Sequence, residues 1–142
     1  MEQTDQIPVQ QPKRPQLLSI LCILTFVGSG VSALGYLWVS VDFETSIRVL
    51  EVLYANMPEV SYILQAPRDF FVVSFFLSAV SIMGALFMWN LRKIGFHIYT
   101  LAQLINLVVP LLYFGGDNNP LLSIVITALF VYLYARNLPQ MR

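Results

Sequence analysis

Polar side chains recur at helical spacing within one apolar stretch of the chain, residues 95–114. Positions i, i+4, i+7 and i+11 of this face hold Tyr99, Gln103, Asn106 and Pro110. An amide in hydrocarbon is costly without a hydrogen-bond partner, so this face must turn toward other helices or toward a wet cavity. Gln103 and Asn106 therefore either line a polar pathway or hydrogen-bond to hydroxyls of other helices. The candidate hydroxyl partners are Ser74, Ser78, Ser81 and Thr127.

We define the polar stripe as His97, Tyr99, Thr100, Gln103 and Asn106. His97 is the only histidine and lies one turn after Lys93, where it could relay protons or hold half of a haem or metal site. A single chain supplies only one such ligand, and no Asp or Glu lies in the apolar runs to complete a metal shell. The alternative is an interfacial histidine that reaches lipid head groups beside Arg92 and Lys93.

The apolar runs lack the groups that catalysis or ion coupling requires. They hold no acid–base pair, no activated nucleophile and no carboxylate for proton or sodium coupling. The single cysteine, Cys22, excludes an intrachain disulfide and is typical of a small buried hydrophobe. We therefore predict a non-enzymatic protein with no catalytic residue, no cofactor and no metal ligand.

Composition indicates that lipid is one of the solvents of this chain. Hydrophobic residues make up 57% of its 142 residues and charged residues 11%, against about 25% charged in soluble domains. The formal net charge is zero, which argues against a nucleic-acid partner, because neutralising phosphates needs clustered Lys and Arg. The bilayer is thus the predicted partner.

Four apolar runs predict an all-α, up-down bundle of four transmembrane helices within a single membrane domain, residues 17–138. The first run has 23 uncharged residues, or about 35 Å of helix, enough for a hydrocarbon core of about 30 Å. Two tails flank the domain, one at 1–16, which is predicted to be disordered, and one at 139–142. Tyr132, Tyr134 and Arg136 would anchor the last span at the membrane interface. The runs are 17–39, 70–89, 95–114 and 120–138.

Small residues at helical spacing form one stripe on each of the first two runs. Such stripes let helix backbones approach closely, so we predict that both pack against other helices. A rival hypothesis makes the first run a cleaved signal peptide, with a cleavage-like site at 31–33. Hydrophobicity that resumes at Leu34 and continues to Val39 favours a retained span. The stripes are Gly28, Ser32 and Gly35 in the first run, and Ser74, Ser78 and Ser81 in the second.

The connection 40–69 carries a predicted amphipathic helix over about 43–56. Its apolar residues recur at helical spacing, Asp42 suits its N-cap, and Pro58 ends the pattern. We expect this helix to lie on the membrane surface or over the mouth of the bundle. A shorter helical turn is expected within 59–66. Asn118 or Asn119 is expected to cap the last span.

Charges separate across the predicted spans. Six of the eight basic residues lie beside the tails and the 90–94 elbow, and six of the eight acidic residues lie in the other two connections. This asymmetry predicts cytoplasmic termini and an extracytoplasmic 40–69 loop. Arg92 and Lys93 could also hold anionic lipid or a partner, although topology alone explains them. The six basic residues are Lys13, Arg14, Arg92, Lys93, Arg136 and Arg142.

Two blocks, LSILCILTFVGSG at 18–30 and MWNLRKIGFHIYTLAQ at 88–103, resemble a group of short, uncharacterised bacterial four-span integral membrane proteins. The resemblance implies a location in the bacterial inner membrane. It implies no activity, so no catalytic residue is carried over. The predicted function is action through helix–helix or lipid contacts, as a subunit of a membrane-protein complex or a homo-oligomer. The alternative is a small permease or channel built on the polar stripe.

Overall fold

The chain folds into long helices, and the computed structural model describes residues 13–58, 61–115 and 120–142. Over these ranges it contains no strand, and four of its helices are long and apolar enough to cross a membrane. The predicted all-α, four-span fold is therefore confirmed. In chain order the helices are α1 (Gln16–Val41), α2 (Phe43–Tyr54), α3 (Ser61–Leu64), α4 (Arg68–Trp89), α5 (Lys93–Phe114) and α6 (Leu121–Asn137), followed by a 3-10 turn at Leu138–Gln140.

Proline stands immediately before three of the four long helices. Pro15, Pro67 and Pro120 precede α1, α4 and α6. A proline at a helix start gives up only an N–H that would be unpaired there, and its ring already holds φ near the helical value. These residues therefore set where the spans begin. Some of the predicted features lie outside the described residues: the caps Asn118 and Asn119, Glu59 of the short turn, and most of the 1–16 tail.

The bundle consists of a three-helix core and one loosely attached helix. Helix α4 packs along both α1 and α5, whereas α6 touches α1 and α5 sparsely. The buried residues of α6 are Tyr134 and Asn137, both near its C-terminal end. Helix α6 is thus held to the bundle mainly at one end.

The two ends of the bundle carry different structures. We call the end that holds residues 13–16, the 90–92 elbow and residues 138–142 the terminal face, and the opposite end the loop face. At the terminal face the Arg142 N–H donates to the Leu91 oxygen at 2.6 Å, and the Lys93 N–H donates to the Arg142 oxygen at 2.9 Å. These two main-chain bonds tie the segment after α6 to the elbow.

The elbow between α4 and α5 is a Schellman motif. The Arg92 N–H donates to the Phe87 oxygen and the Leu91 N–H to the Met88 oxygen, both at 2.9 Å. Leu91 takes a φ of 59°, the left-handed conformation that this position requires and that glycine usually supplies. Beside the elbow the two helix backbones touch: a Cβ built on Gly95 would lie 2.5 Å from the Gly84 oxygen. The pair of glycines therefore permits the tight α4–α5 hairpin.

Helix α2 lies across the loop face. Asp42 caps it as predicted, since its Oδ1 accepts from the Thr45 N–H at 3.3 Å. Phe43, Ile47 and Leu50 pack against a buried cluster that we call the loop-face cluster, which places α2 over the bundle mouth. The helix ends at Tyr54, two residues before the predicted end. The loop-face cluster consists of Val39, Ala66, Phe70, Phe71, Leu77 and Val109.

Candidate functional site

A cavity of about 310 Å³ lies among α1, α5 and α6, and the polar stripe faces it. Tyr99, Gln103 and Asn106 supply the α5 wall, and Ser78 supplies the only α4 contribution within the described lining. A space of this volume matches about ten water molecules at liquid density. The remaining lining residues are Leu24, Thr25, Gly28, Ser29, Ser32 and Tyr36 from α1, and Ile126, Thr127 and Phe130 from α6.

The cavity lies at the depth of the hydrocarbon core. Tyr99 is six residues from the start of α5, about 9 Å along its axis, and Asn106 is eight residues from the end, about 12 Å. A core of about 30 Å therefore extends beyond these residues on both sides. The polar groups of the lining are therefore placed along the part of α5 that a hydrocarbon core would surround.

A hydrogen-bonded tyrosine closes the cavity toward the terminal face. Thr25 Oγ1 and Tyr134 Oη are 2.8 Å apart, and the rings of Tyr99 and Tyr134 meet edge to face at 5.0 Å between centroids. Tyr134 is fully buried, so the prediction that it anchors α6 at the interface is wrong. The same layer continues into a buried group that we call the terminal-face cluster: Leu18, Leu21, Cys22, Met88, Tyr99, Tyr134 and Met141.

The two amides keep hydrogen-bonding capacity that the protein does not fill. Gln103 Nε2 is 3.5 Å from Ser81 Oγ, at the outer limit for a hydrogen bond. Among the described residues the Asn106 amide has no hydrogen-bond partner, and its side chain is part-exposed to the cavity. Each amide offers two donors and two acceptor lone pairs. Both amides can therefore bind a polar molecule in the cavity.

The cavity is polar but uncharged. Its described lining contains hydroxyls, amides and tyrosines, and no Asp, Glu, Lys, Arg or His. An unpaired charge moved into such a low-dielectric space loses far more solvation than hydroxyls return. The arrangement thus suits a neutral polar molecule and disfavours an ion.

The structure splits the polar stripe. His97 is exposed and its ring lies 5.7 Å from that of Phe96, outside the cavity lining. Thr100 also lies outside the lining, and its Oγ1 is buried without a partner in the described part of the chain. Within the described ranges of the chain there is no group of three or more His, Cys, Asp or Glu that could hold a metal ion. Tyr99, Gln103 and Asn106 are the stripe members that the fold brings to one site.

The two small-residue stripes have different surroundings. Ser74, Ser78 and Ser81 are buried, and of these three Ser78 also reaches the cavity. In contrast, Gly28 and Ser32 line the cavity, and no described atom lies within 4 Å of a Cβ built on Gly28 or Gly35. The α1 stripe is therefore not covered by a helix of this chain in the ranges described, and its packing role stays a prediction.

The basic residues predicted to set topology lie at the terminal face. Lys13, Lys93 and Arg136 are exposed. The Arg14 guanidinium stacks 4.3 Å from the centre of the Trp89 ring, and that of Arg92 lies 6.0 Å from the centre of the Phe87 ring. Such contacts hold these cations beside aromatic rings at the ends of apolar helices, where lipid head groups lie.

Sequence reasoning named Thr127 as a partner of the amides and Gly28 and Ser32 as packing residues, but it missed the other α1 and α6 residues of the lining. Thr127, Phe130 and Tyr134 fall at i, i+3 and i+7, a helical face that the short apolar run obscured. Thr25 carried no signal, because a lone threonine in an apolar helix bonds its own backbone as readily as another helix.

No protein-family model, no curated protein and no solved structure matches this chain. Functional inference therefore starts from the cavity and its chemistry.

Proposed function

We propose that this chain is a non-enzymatic, multi-pass membrane protein that binds a small uncharged polar molecule inside its helix bundle, as a small permease or channel does. The observation that carries the proposal is that Gln103 and Asn106 face a cavity with unfilled hydrogen-bonding capacity. A packed seam would pair both amides with neighbouring hydroxyls. Gln103 has such a partner in Ser81, but the Asn106 amide has none among the described residues, and an unpaired amide at this depth costs about 1–3 kcal/mol.

Thiol chemistry tests this proposal, because a cysteine alkylates as the thiolate, which forms in water and not in hydrocarbon. In a Cys22→Ala background, we expect Asn106→Cys to react with N-ethylmaleimide at least about tenfold faster than Leu104→Cys. Leu104 lies near the middle of the same helix and is 53% exposed, facing lipid. Equal and negligible labelling of both cysteines would remove the wet cavity and the proposal with it.

We further propose a bacterial inner-membrane location with cytoplasmic termini. The basic side chains that collect at the terminal face support this orientation, as does the resemblance to bacterial four-span proteins. Reporter fusions after Asn56 and after Lys93 are expected to report opposite sides, extracytoplasmic and cytoplasmic. The same side for both fusions would contradict the orientation.

A second candidate is assembly, supported by the uncovered small-residue stripe of α1. A second copy of the chain could lay its own α1 against Gly35, where no described atom blocks approach. Under oxidation in native membranes, Gly35→Cys in the Cys22→Ala background is then expected to form a disulfide-linked dimer, and the exposed lipid-facing Leu101→Cys is not. Only monomer from Gly35→Cys would contradict assembly through this face.

A further inference from the structure

The cavity is closed at its terminal-face end, and of the described helices around it α6 is the one that packs sparsely against the others. Toward the terminal face, the Thr25–Tyr134 hydrogen bond and the terminal-face cluster fill the space. Toward the loop face, Tyr36 packs against Phe71 at 6.4 Å between ring centroids, and the loop-face cluster joins α1, α4 and α5. Among the described residues, none from α6 belongs to the loop-face cluster.

The N-terminal half of α6 stands away from the core. Leu122, Val125 and Leu129 are exposed, and in the described length of this helix burial begins only at Tyr134. The residues of α6 that reach the cavity, Ile126, Thr127 and Phe130, lie about 8–14 Å from the start of the helix. The sparsely packed boundary between α1 and α6, which we call the gap, therefore lies within the apolar span, where the surrounding medium is hydrocarbon.

The lining combines apolar and polar side chains. Leu24, Ile126 and Phe130 are its apolar members, and they come from α1 and α6, which also contribute hydroxyl groups. The α5 wall carries the two amides, Gln103 and Asn106. A molecule that matches both parts has a polar head and an apolar chain.

We infer that the cavity takes the uncharged polar head group of a membrane amphiphile, such as a glyceride or long-chain alcohol, which reaches it sideways from the bilayer between α1 and α6. This inference rests on the proposed function and names its ligand class. The head group hydrogen-bonds to the two amides, and the chain leaves through the gap into lipid. Phospholipids are disfavoured, because a phosphate would meet no cation in the described lining.

Protection of a Thr127→Cys thiol, which lies in the cavity lining and leaves both amides in place, tests the inference in vesicles that hold the full chain with Cys22→Ala. We expect monoolein in the bilayer to slow alkylation by N-ethylmaleimide at least about tenfold, the effect of occupancy at ten times its Kd. Glycerol in the aqueous phase and lysophosphatidate at the same mole fraction are expected to leave the rate unchanged. If glycerol slows alkylation of the thiol and monoolein does not, the cavity binds a small polar molecule, and the proposal of an amphiphile as its ligand is wrong. If the thiol does not react under any condition, the proposed function also fails.

Lateral access has its own matched variants. Gly28→Phe places a ring at the gap and is expected to abolish monoolein protection, whereas Gly30→Phe, on the same helix and outside the cavity lining, is expected to retain it. Equal protection in both variants would overturn access between α1 and α6.

A wild-type measurement covers the case in which a ring at Gly28 prevents folding. Monoacylglycerol with a diazirine in its acyl chain is expected to crosslink to α1 and α6 residues at the gap. This labelling should fall with Gln103→Leu and not with the exposed Gln65→Leu. Labelling confined to α4 and α5, or insensitive to Gln103→Leu, would overturn the inference.

Discussion

Tyr134→Ala is expected to lower the free energy of unfolding by about 3–5 kcal/mol, because it empties a fully buried aromatic site and leaves Thr25 without its hydrogen-bond partner. The loss falls on α6, whose attachment to the bundle depends on this residue, on Asn137 and on the segment that bonds to the elbow. Unfolding in mixed micelles of increasing denaturing detergent, followed by circular dichroism, measures the change.

Tyr132→Ala is the matched control for this substitution. Tyr132 lies on the same helix, two residues before Tyr134, and is 61% exposed. A substitution at an exposed site away from such contacts usually changes stability by less than about 0.5 kcal/mol. Similar losses from both variants would show that α6 is not attached through Tyr134.

Gly95→Ala is expected to destabilise the protein by about 1–3 kcal/mol, although alanine normally favours a helix over glycine. The new methyl group would lie 2.5 Å from the Gly84 oxygen and 2.6 Å from the Met88 nitrogen. Both obstacles are main-chain atoms of α4, so no side chain can rotate away and the two helices must separate. The same denaturing-detergent titration reports the change.

For Gly30→Ala the expected change in stability has the opposite sign. No atom in the described ranges lies within 4 Å of a Cβ at this position, so the substitution is expected to stabilise the helix by about 0.5–1 kcal/mol. A Gly95→Ala variant as stable as Gly30→Ala would contradict the close approach of α4 and α5.

The elements that sequence predicts well are those set by local chemistry. An uncharged run whose length exceeds the thickness of a bilayer must form a helix in lipid, since every main-chain polar group has to be paired within the segment. The Asp42 cap and the bundle-facing apolar residues of α2 likewise depend on neighbours a few positions away. Leu91 in the elbow is not predicted in this way, because the residue type leucine does not indicate a left-handed conformation.

The site was only half visible in the sequence. Helical spacing places Tyr99, Gln103 and Asn106 on one face, and the structure brings all three to the cavity. The same spacing could not exclude Thr100, whose Oγ1 is buried outside the cavity lining. Nor could it find Tyr134, whose partner Thr25 is 109 positions away in the chain.

By itself, the sequence determined that this chain is a four-span helical protein and that one face of α5 is polar, because hydropathy and periodicity are properties of single segments. Only the tertiary structure decided what that face meets. Tight contact at Gly84 and Gly95 holds α5 against α4, while α6 is attached mainly at its C-terminal end and leaves a space beside the amides. Whether polar residues form a seam or a cavity depends on the distances between helices, which backbone contacts and buried side chains far apart in the chain set together.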